Sequence, residues 1–169
     1  MRDRSAIHLY VAVYDAVVEA DADYRAVRDL HAAKAIKSYD AALIERHGDE
    51  VVISKHETPT EHGAWVGLVA GGVVGLLFPP SLLAGAVAGA TGGGVVAHLR
   101  QGLDRSDLER AGTLLESGQA AVVVVSREAF GAEVGGALGR AARSSSTTID
   151  VDVDGLQEAI EAVFRDPTA

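Results

Sequence analysis

The sequence predicts an α+β fold: a ferredoxin-like (split βαβ) sheet with helices on one face, an inserted apolar helical hairpin, and an extra C-terminal strand and helix. Three observations support this prediction. Segments that alternate with period two, typical of strands, are interspersed with segments of helical spacing. Their order is strand–helix–strand–strand–helix–strand, which is that of a split βαβ unit. An uncharged run, Gly63 to Ala97, interrupts this order after the third strand.

Three strands and one helix are predicted before the uncharged run. The strand "AIHLYVAVY" alternates apolar and other residues, and a helical pattern begins after Asp15. Two further strands, "SYDAALIER" and "EVVISKHE", are separated by "HGD". Gly48 in that turn accepts the positive φ that a tight hairpin needs, so we expect the two strands to pair.

Two strands and three helices are predicted after the uncharged run. The helix "SDLERAGTLLESG" leads into "QAAVVVVS", which has no polar alternation and is typical of a central strand covered on both faces. A helix from about Glu128 to Arg143, the strand "TTIDVDVD" and the helix "GLQEAIEAVF" follow. We therefore expect a ferredoxin-like domain formed by residues 1–61 and 99–169, and an inserted hairpin at 62–98.

Glycines recur at four-residue steps on both sides of Pro79-Pro80. They are Gly63, Gly67, Gly71 and Gly75 before the prolines, and Gly85, Gly89 and Gly93 after them. This spacing aligns glycines on one helical face and lets two backbones approach closely. Each glycine inside a helix costs about 1 kcal/mol relative to alanine, so close packing must compensate. Proline interrupts a helix, and we expect a glycine-zipper hairpin with its tip at Pro79 and Pro80.

The other faces of this hairpin are also apolar, as Val66, Val69, Val73 and Leu76 show. A helix that is apolar all round is buried in lipid or in protein. Either arm is shorter than the ~20 residues that usually span a bilayer, although Trp65 near the base suits a membrane interface. Three alternatives stay open: insertion into a membrane, packing inside a soluble homo-oligomer, and burial within one chain.

Several segments resemble a bacterial family catalogued as domain of unknown function 1269. They are "LYVAVYD", "YDAALIER", "HETPTEHGAWVGLVAGGVVGLLFPP", "GAVAGATGGGVVAHL" and "GQAAVVVV". The resemblance covers about Ile7 to Val125, and its most specific part is the glycine-rich segment that ends in "GLLFPP". Members of this family are often labelled membrane proteins on hydropathy. The resemblance implies no activity, ligand or catalytic residue.

Two groups of residues are candidates for metal binding. Asp150, Asp152, Asp154 and Glu161 match a calcium-loop pattern, but no helix precedes them. The alternation predicts instead that the aspartates face solvent and protect an edge strand. His62 and His98 lie at the two feet of the predicted hairpin, and paired neutral imidazoles can bind zinc or copper. Such residues are more often solvated polar groups, so we expect no metal and no cofactor.

Composition argues against several classes of function. The net charge is −9, from 15 basic and 24 acidic residues, which disfavours nucleic-acid binding. No P-loop, G-x-S-x-G or G-x-G-x-x-G motif is present. There is no cysteine, and the N-terminus lacks the pattern of a signal peptide. We expect a cytoplasmic protein, associated with a membrane, whose partners are its own copies and the lipid bilayer.

The sequence thus favours a non-enzymatic homo-oligomeric structural or interaction protein that meets a membrane through the glycine-zipper hairpin. The first alternative is a soluble ring, cage or filament with the hairpins packed in its core. The second alternative is a sensor domain that binds a small molecule or a metal, which rests on analogy with other ferredoxin-like domains.

Overall fold

A computed structural model describes residues 4–57, 72–74, 76–77 and 93–165 of the chain. These residues form an α+β fold with a five-stranded antiparallel sheet, which confirms the predicted class. The strands are β1 (Arg4–Tyr14), β2 (Tyr39–His47), β3 (Glu50–Glu57), β4 (Ala120–Ser126) and β5 (Arg143–Asp152). The helices are α1 (Val17–Ala32), α2 (Gly93–Gly102), α3 (Arg105–Glu116), α4 (Gly131–Ala137) and α5 (Val153–Arg165). Residues 72–74 and 76–77 are also helical.

The strand order across the sheet is β3-β2-β4-β1-β5. Both β1 and β2 pair antiparallel with β4, so they run parallel to each other with β4 between them. The predicted hairpin of β2 and β3 is confirmed, and Gly48 in its turn has a φ of 64°. The outer edges of the sheet are therefore β3 on one side and β5 on the other.

Helices cover both faces of this sheet, so the prediction that they lie on one face is wrong. We call the two sides face A, which carries Tyr10, Ala12 and Tyr14 of β1, and face B, which carries Ile7 and Leu9. Buried side chains of α1 and α4 pack on face A. Residues from α2, α3 and α5, together with Val73, Val74 and Leu76, pack on face B. The physical reason is that β4 is buried at every position, because its apolar run leaves neither face suited to water.

The C-terminal boundaries differ from those predicted. The helix expected from about Glu128 to Arg143 is restricted to Gly131–Ala137, and β5 begins at Arg143 instead of Thr147. Glycines at 135, 136 and 139 weaken the helix. Pairing with β1 then extends the strand backwards, since Val13 lies opposite Arg143. Much of 62–98 lies outside the described residues, so the predicted division into domain and hairpin stays a prediction.

Candidate functional site

Most of the predicted glycine-zipper hairpin lies outside the described residues. This applies to Gly63, Gly67, Gly71, Gly75, Gly85, Gly89, Pro79, Pro80, Trp65 and His62. Gly93 is the first residue of α2. The glycine zipper and its tip therefore stay predictions. In the part of the chain that the structure describes, no helix is both long enough and apolar enough to cross a membrane.

The described part of the first arm is buried against the chain's own sheet. Val73 and Val74 are fully buried and Leu76 is 8% exposed. They belong to the core on face B, together with Leu9, Val123 and other residues. For Val73 and Leu76, this burial favours the third alternative, burial within one chain, over cover by lipid or by another copy. This burial is the first geometric constraint on the uncharged run.

The helix after the uncharged run is fixed to the same face by close contacts at glycine. Leu99 of α2 is fully buried in the core of face B. A Cβ on Gly102 would overlap the carbonyl oxygen of Asp150, so only glycine allows α2 to lie this close to β5. A Cβ on Gly155 would similarly overlap Nε2 of His98. Val73, Val74 and Leu76 of the uncharged run, and the helix α2 that ends the run, are thus attached to face B.

Three residues from the two metal hypotheses meet in one small polar cavity. His98, Asp150 and Asp152 line a space of about 180 Å³ together with Arg4 and Gln101. Nε of Arg4 lies 3.2 Å from a carboxylate oxygen of Asp150. The backbone N–H of Gly155 donates to Asp152 at 3.4 Å. Because a guanidinium already neutralises Asp150, this cavity resembles a salt-bridged polar pocket more than a cation site.

The residues of the calcium-loop pattern lie on two different elements. The strand β5 ends at Asp152 and α5 begins at the next residue, so Asp154 lies in the first turn of a helix. Glu161 lies further along α5, where it interacts with Gln157 at 3.4 Å and with Arg165 at 3.8 Å. No cluster of three or more histidine, cysteine or acidic side chains suited to a metal occurs among the described residues. His62 lies outside them, so its pairing with His98 stays untested.

A histidine–carboxylate pair lies on face B, just before the uncharged run. Asp40 is fully buried, and its carboxylate lies 2.7 Å from Nε2 of His56. The hydrogen bond to Asp40 raises the pKa of His56, against the opposing effect of burial. The sequence suggests only a strand-face or turn role for Asp40. The register of the hairpin formed by β2 and β3 is the signal that indicates this pair. It places His56 opposite Ala42, whose side chain lies on the same face of β2 as that of Asp40.

Face A contains a buried polar network that the sequence does not predict. The fully buried carboxylate of Asp23 accepts hydrogen bonds from the Tyr14 hydroxyl at 3.0 Å and from the backbone N–H of Arg140 at 2.9 Å. The Arg140 guanidinium adds a third contact at 2.7 Å. Burial raises the pKa of Tyr14 well above its usual value, so its hydroxyl stays a donor. The network joins α1 to the segment between α4 and β5.

A groove of about 700 Å³ runs between α3 and β5. Arg110, Ser117, Arg143 and Ser144 are among the residues that line it. The hydroxyl of Thr147 on β5 donates to the Asp107 carboxylate at 3.1 Å and so holds α3 beside the strand. The groove therefore opens next to the outer edge of the sheet and carries two arginines in an acidic chain.

One comparison with known proteins gives a match. The profile of the family described as "Protein of unknown function (DUF1269)" matches residues 64–161. The matched region begins in the uncharged run and ends in α5. Compared with the Ile7 to Val125 range of the sequence resemblance, it starts later in the chain and extends further towards the C-terminus. Neither curated proteins nor solved structures gave a match.

Proposed function

The chain belongs to the DUF1269 family, and from its own residues we propose that it is a non-enzymatic protein that assembles with further copies of itself through the uncharged run Gly63 to Ala97. The observation that carries the proposal is the burial of Val73 and Leu76 on face B. One side of the first arm is thereby assigned to the chain's own sheet.

The glycine ladder fits a contact on the other side of that arm. At 3.6 residues per turn, Gly71 and Gly75 fall roughly opposite Val73 on a helix. We propose that this glycine face is directed away from the sheet, where glycines favour close approach of another helix. We assign this face to the hairpins of the same and of further copies. Protein packing, instead of lipid, then covers the uncharged run.

Membrane attachment is the second candidate. Trp65 and the apolar character of both arms favour it. Insertion of the first arm into lipid requires that Val73, Val74 and Leu76 leave the core of face B, which costs the burial of three apolar side chains. This cost is why we place assembly through protein contacts first. A cytoplasmic, membrane-associated location accordingly stays a prediction.

We interpret the sheet as a ferredoxin-like core with one insertion. Strands β2-β4-β1-β5 supply the core, in which β1 and β2 are parallel and flank β4. This differs from the split βαβ unit expected from the sequence, because β5 replaces β3 as a strand of the unit. The two helices of that core are α1 and α4, which share face A. On this interpretation β3, the uncharged run, α2 and α3 are inserted between β2 and β4. The assembling element is then part of an insertion on face B, and the ferredoxin-like core is left intact.

The proposal is tested by measuring the mass of the purified chain by light scattering without detergent, alongside fractionation of cells into membrane and soluble material. We expect a soluble particle of several copies. Gly71→Leu should reduce its mass, because a leucine prevents close helix approach. The matched control is Gly135→Leu, since nothing lies within 4 Å of a Cβ at that glycine of α4. A monomer would overturn the proposal, and recovery only from membranes would favour the second candidate.

A further inference from the structure

The outer edge of β5 differs from every other strand border in the described sheet. We propose that this edge pairs antiparallel with the β5 edge of a second copy, across a two-fold axis, so that two sheets become one continuous sheet. This inference rests on the proposed self-association and names one of its interfaces. It concerns the edge of the sheet, and none of the glycines of the ladder takes part in it.

The opposite edge, β3, has the features that prevent edge-to-edge pairing. Its register with β2 shifts between Leu43 and Ile44, which marks a bulge or irregularity. It also carries Glu50, Lys55 and Glu57, three charged residues in eight. Bulges and charges on an edge strand make pairing with another chain unfavourable. The fold therefore protects this edge.

The edge of β5 has no bulge, and its charges are confined to its two ends, Arg143 at the start and Asp150 and Asp152 at the finish. Its register with β1 runs without a shift from Arg143 to Asp152. Residues 144–149 read "SSSTTI" and contain no charge, proline or glycine. Ser144, Ser146 and Thr148 are exposed. Among described residues, no backbone hydrogen bond reaches β5 from outside the β1 ladder, and such an edge is a template for another strand.

The charges of β5 identify a second copy as the strand that pairs there. Arg143 begins the strand, with Arg110 beside it in the groove, whereas Asp150, Asp152 and Asp154 lie at its other end. Antiparallel pairing about a two-fold axis brings the basic end of each copy towards the acidic end of the other, twice. Arg4 already pairs with Asp150 and Arg110 with Asp107, and Glu109 lines the same groove, so the added attraction comes mainly from Arg143 and the later acidic residues. Complementary charges matter here because the chain is otherwise acidic and copies repel.

A two-fold axis perpendicular to the sheet also constrains the register. It keeps face A of one copy continuous with face A of the other, so one residue of β5 lies opposite itself. We place that residue between Ser144 and Thr148, in the uncharged part of the strand. The acidic end of the partner's β5 then lies towards the groove between α3 and β5, on the side of Arg143.

Cysteine scanning tests this interface directly, because the chain has no native cysteine. Single cysteines are placed at each position from Ser144 to Thr148 in the full chain, and disulfide-linked dimers are measured after mild oxidation. Directly opposed residues of antiparallel strands have Cα atoms about 4.5–5.5 Å apart, within the limit for a disulfide. We expect one position to cross-link at least about tenfold more than the β3 controls, Val52→Cys and Ser54→Cys.

Charge substitution gives an independent measurement. Ser146→Lys with Thr148→Lys brings like charges together across the axis and should weaken dimerisation at least about tenfold, whereas Ser54→Lys on β3 should leave it unchanged. If light scattering shows an assembly but no β5 cysteine exceeds the β3 controls, the β5 interface is wrong and the proposed self-association stands. If the chain is monomeric, both proposals fail.

Discussion

Face A and face B of the same sheet are covered by different kinds of contact. On face A, α1 and α4 pack over tyrosines and small residues, and the buried Asp23 network fixes their relative position. On face B, the cover comes from four separate segments, which meet the sheet through aliphatic side chains and through close contacts at Gly102 and Gly155. The helices on face A are therefore held by directional hydrogen bonds. The segments on face B are held mainly by apolar packing.

This difference indicates which contacts within one chain can be replaced by contacts from another copy. A satisfied buried polar network tolerates few alternative arrangements, because each partner left without a hydrogen bond is costly in a low-dielectric interior. Aliphatic contacts lack that directional requirement and can be replaced by equivalent contacts from another copy. Face B is also the side on which Val73 and Leu76 of the uncharged run are buried. The contrast therefore supports assembly on face B over a fixed face A.

Removing the buried hydrogen-bond network of Asp23 on face A should lower the unfolding free energy more than any other change considered. Asp23→Ala leaves the Tyr14 hydroxyl and the Arg140 backbone N–H without their acceptor. We expect unfolding free energy to fall by about 3 kcal/mol, as measured by urea denaturation. The control is Asp21→Ala on the same helix, which removes exposed ion pairs with Arg25 and Lys55 and should cost under about 1 kcal/mol. Equal losses of unfolding free energy in the two variants would show that the Asp23 network does not contribute more to stability than an exposed ion pair.

Truncation on face B tests whether the first arm is part of the domain. Leu76→Ala should lower the unfolding free energy by about 2 kcal/mol, because it removes a side chain buried in the core of face B. Val18→Ala is the control, since Val18 is 74% exposed on α1, and it should change stability by no more than about 0.5 kcal/mol. If Leu76→Ala behaves like the control in detergent-free solution, the segment does not dock on face B.

The close contact at Gly155 offers a smaller and more specific test. Gly155→Ala should destabilise the chain by about 1–2 kcal/mol, since the added methyl overlaps Nε2 of His98. In a His98→Ala background the same change should cost less, because only the contact with Oδ2 of Asp152 at 3.0 Å remains and alanine is the better helix former. A double-mutant cycle measured by urea denaturation gives this coupling. Independent effects of the two substitutions would mean that His98 does not lie over Gly155.

Parts of this structure follow from local sequence and parts do not. The turn at Gly48 and the fully buried β4 were predictable, because backbone conformation and an unbroken apolar run each depend on a few adjacent residues. The start of β5 at Arg143 was not, because pairing with β1 outweighs the weak strand tendency of a serine run.

Long-range polar contacts account for the rest of what was missed. Asp23 and Arg140 are separated by 117 residues, and no periodicity indicates that they meet. The metal hypotheses grouped residues by their spacing along the chain. The fold instead brings His98 and Asp152, which belong to different hypotheses, into one cavity that also contains Arg4.

The pH dependence of stability provides the finest test of face B. The hydrogen bond to Asp40 raises the pKa of His56 above the value of about 6.5 expected in the unfolded chain. The folded state thus binds the proton more tightly, and the pair stabilises the fold fully below that pH. Its contribution is lost as pH rises through the folded pKa. Because the His56 side chain is 41% exposed, we expect under about 1 kcal/mol.

Urea denaturation between pH 5.5 and 8.5 measures this contribution as the difference between the chain and His56→Gln. The difference should be largest at the acidic end and shrink above neutral pH. His47→Gln is the matched control: His47 lies 3.4 Å from Glu45 with its side chain 61% exposed, so solvent screens that pair more strongly. A difference that grows with pH would have the wrong sign for a raised pKa. The contact between His56 and Asp40 would then have to be abandoned as an ion pair.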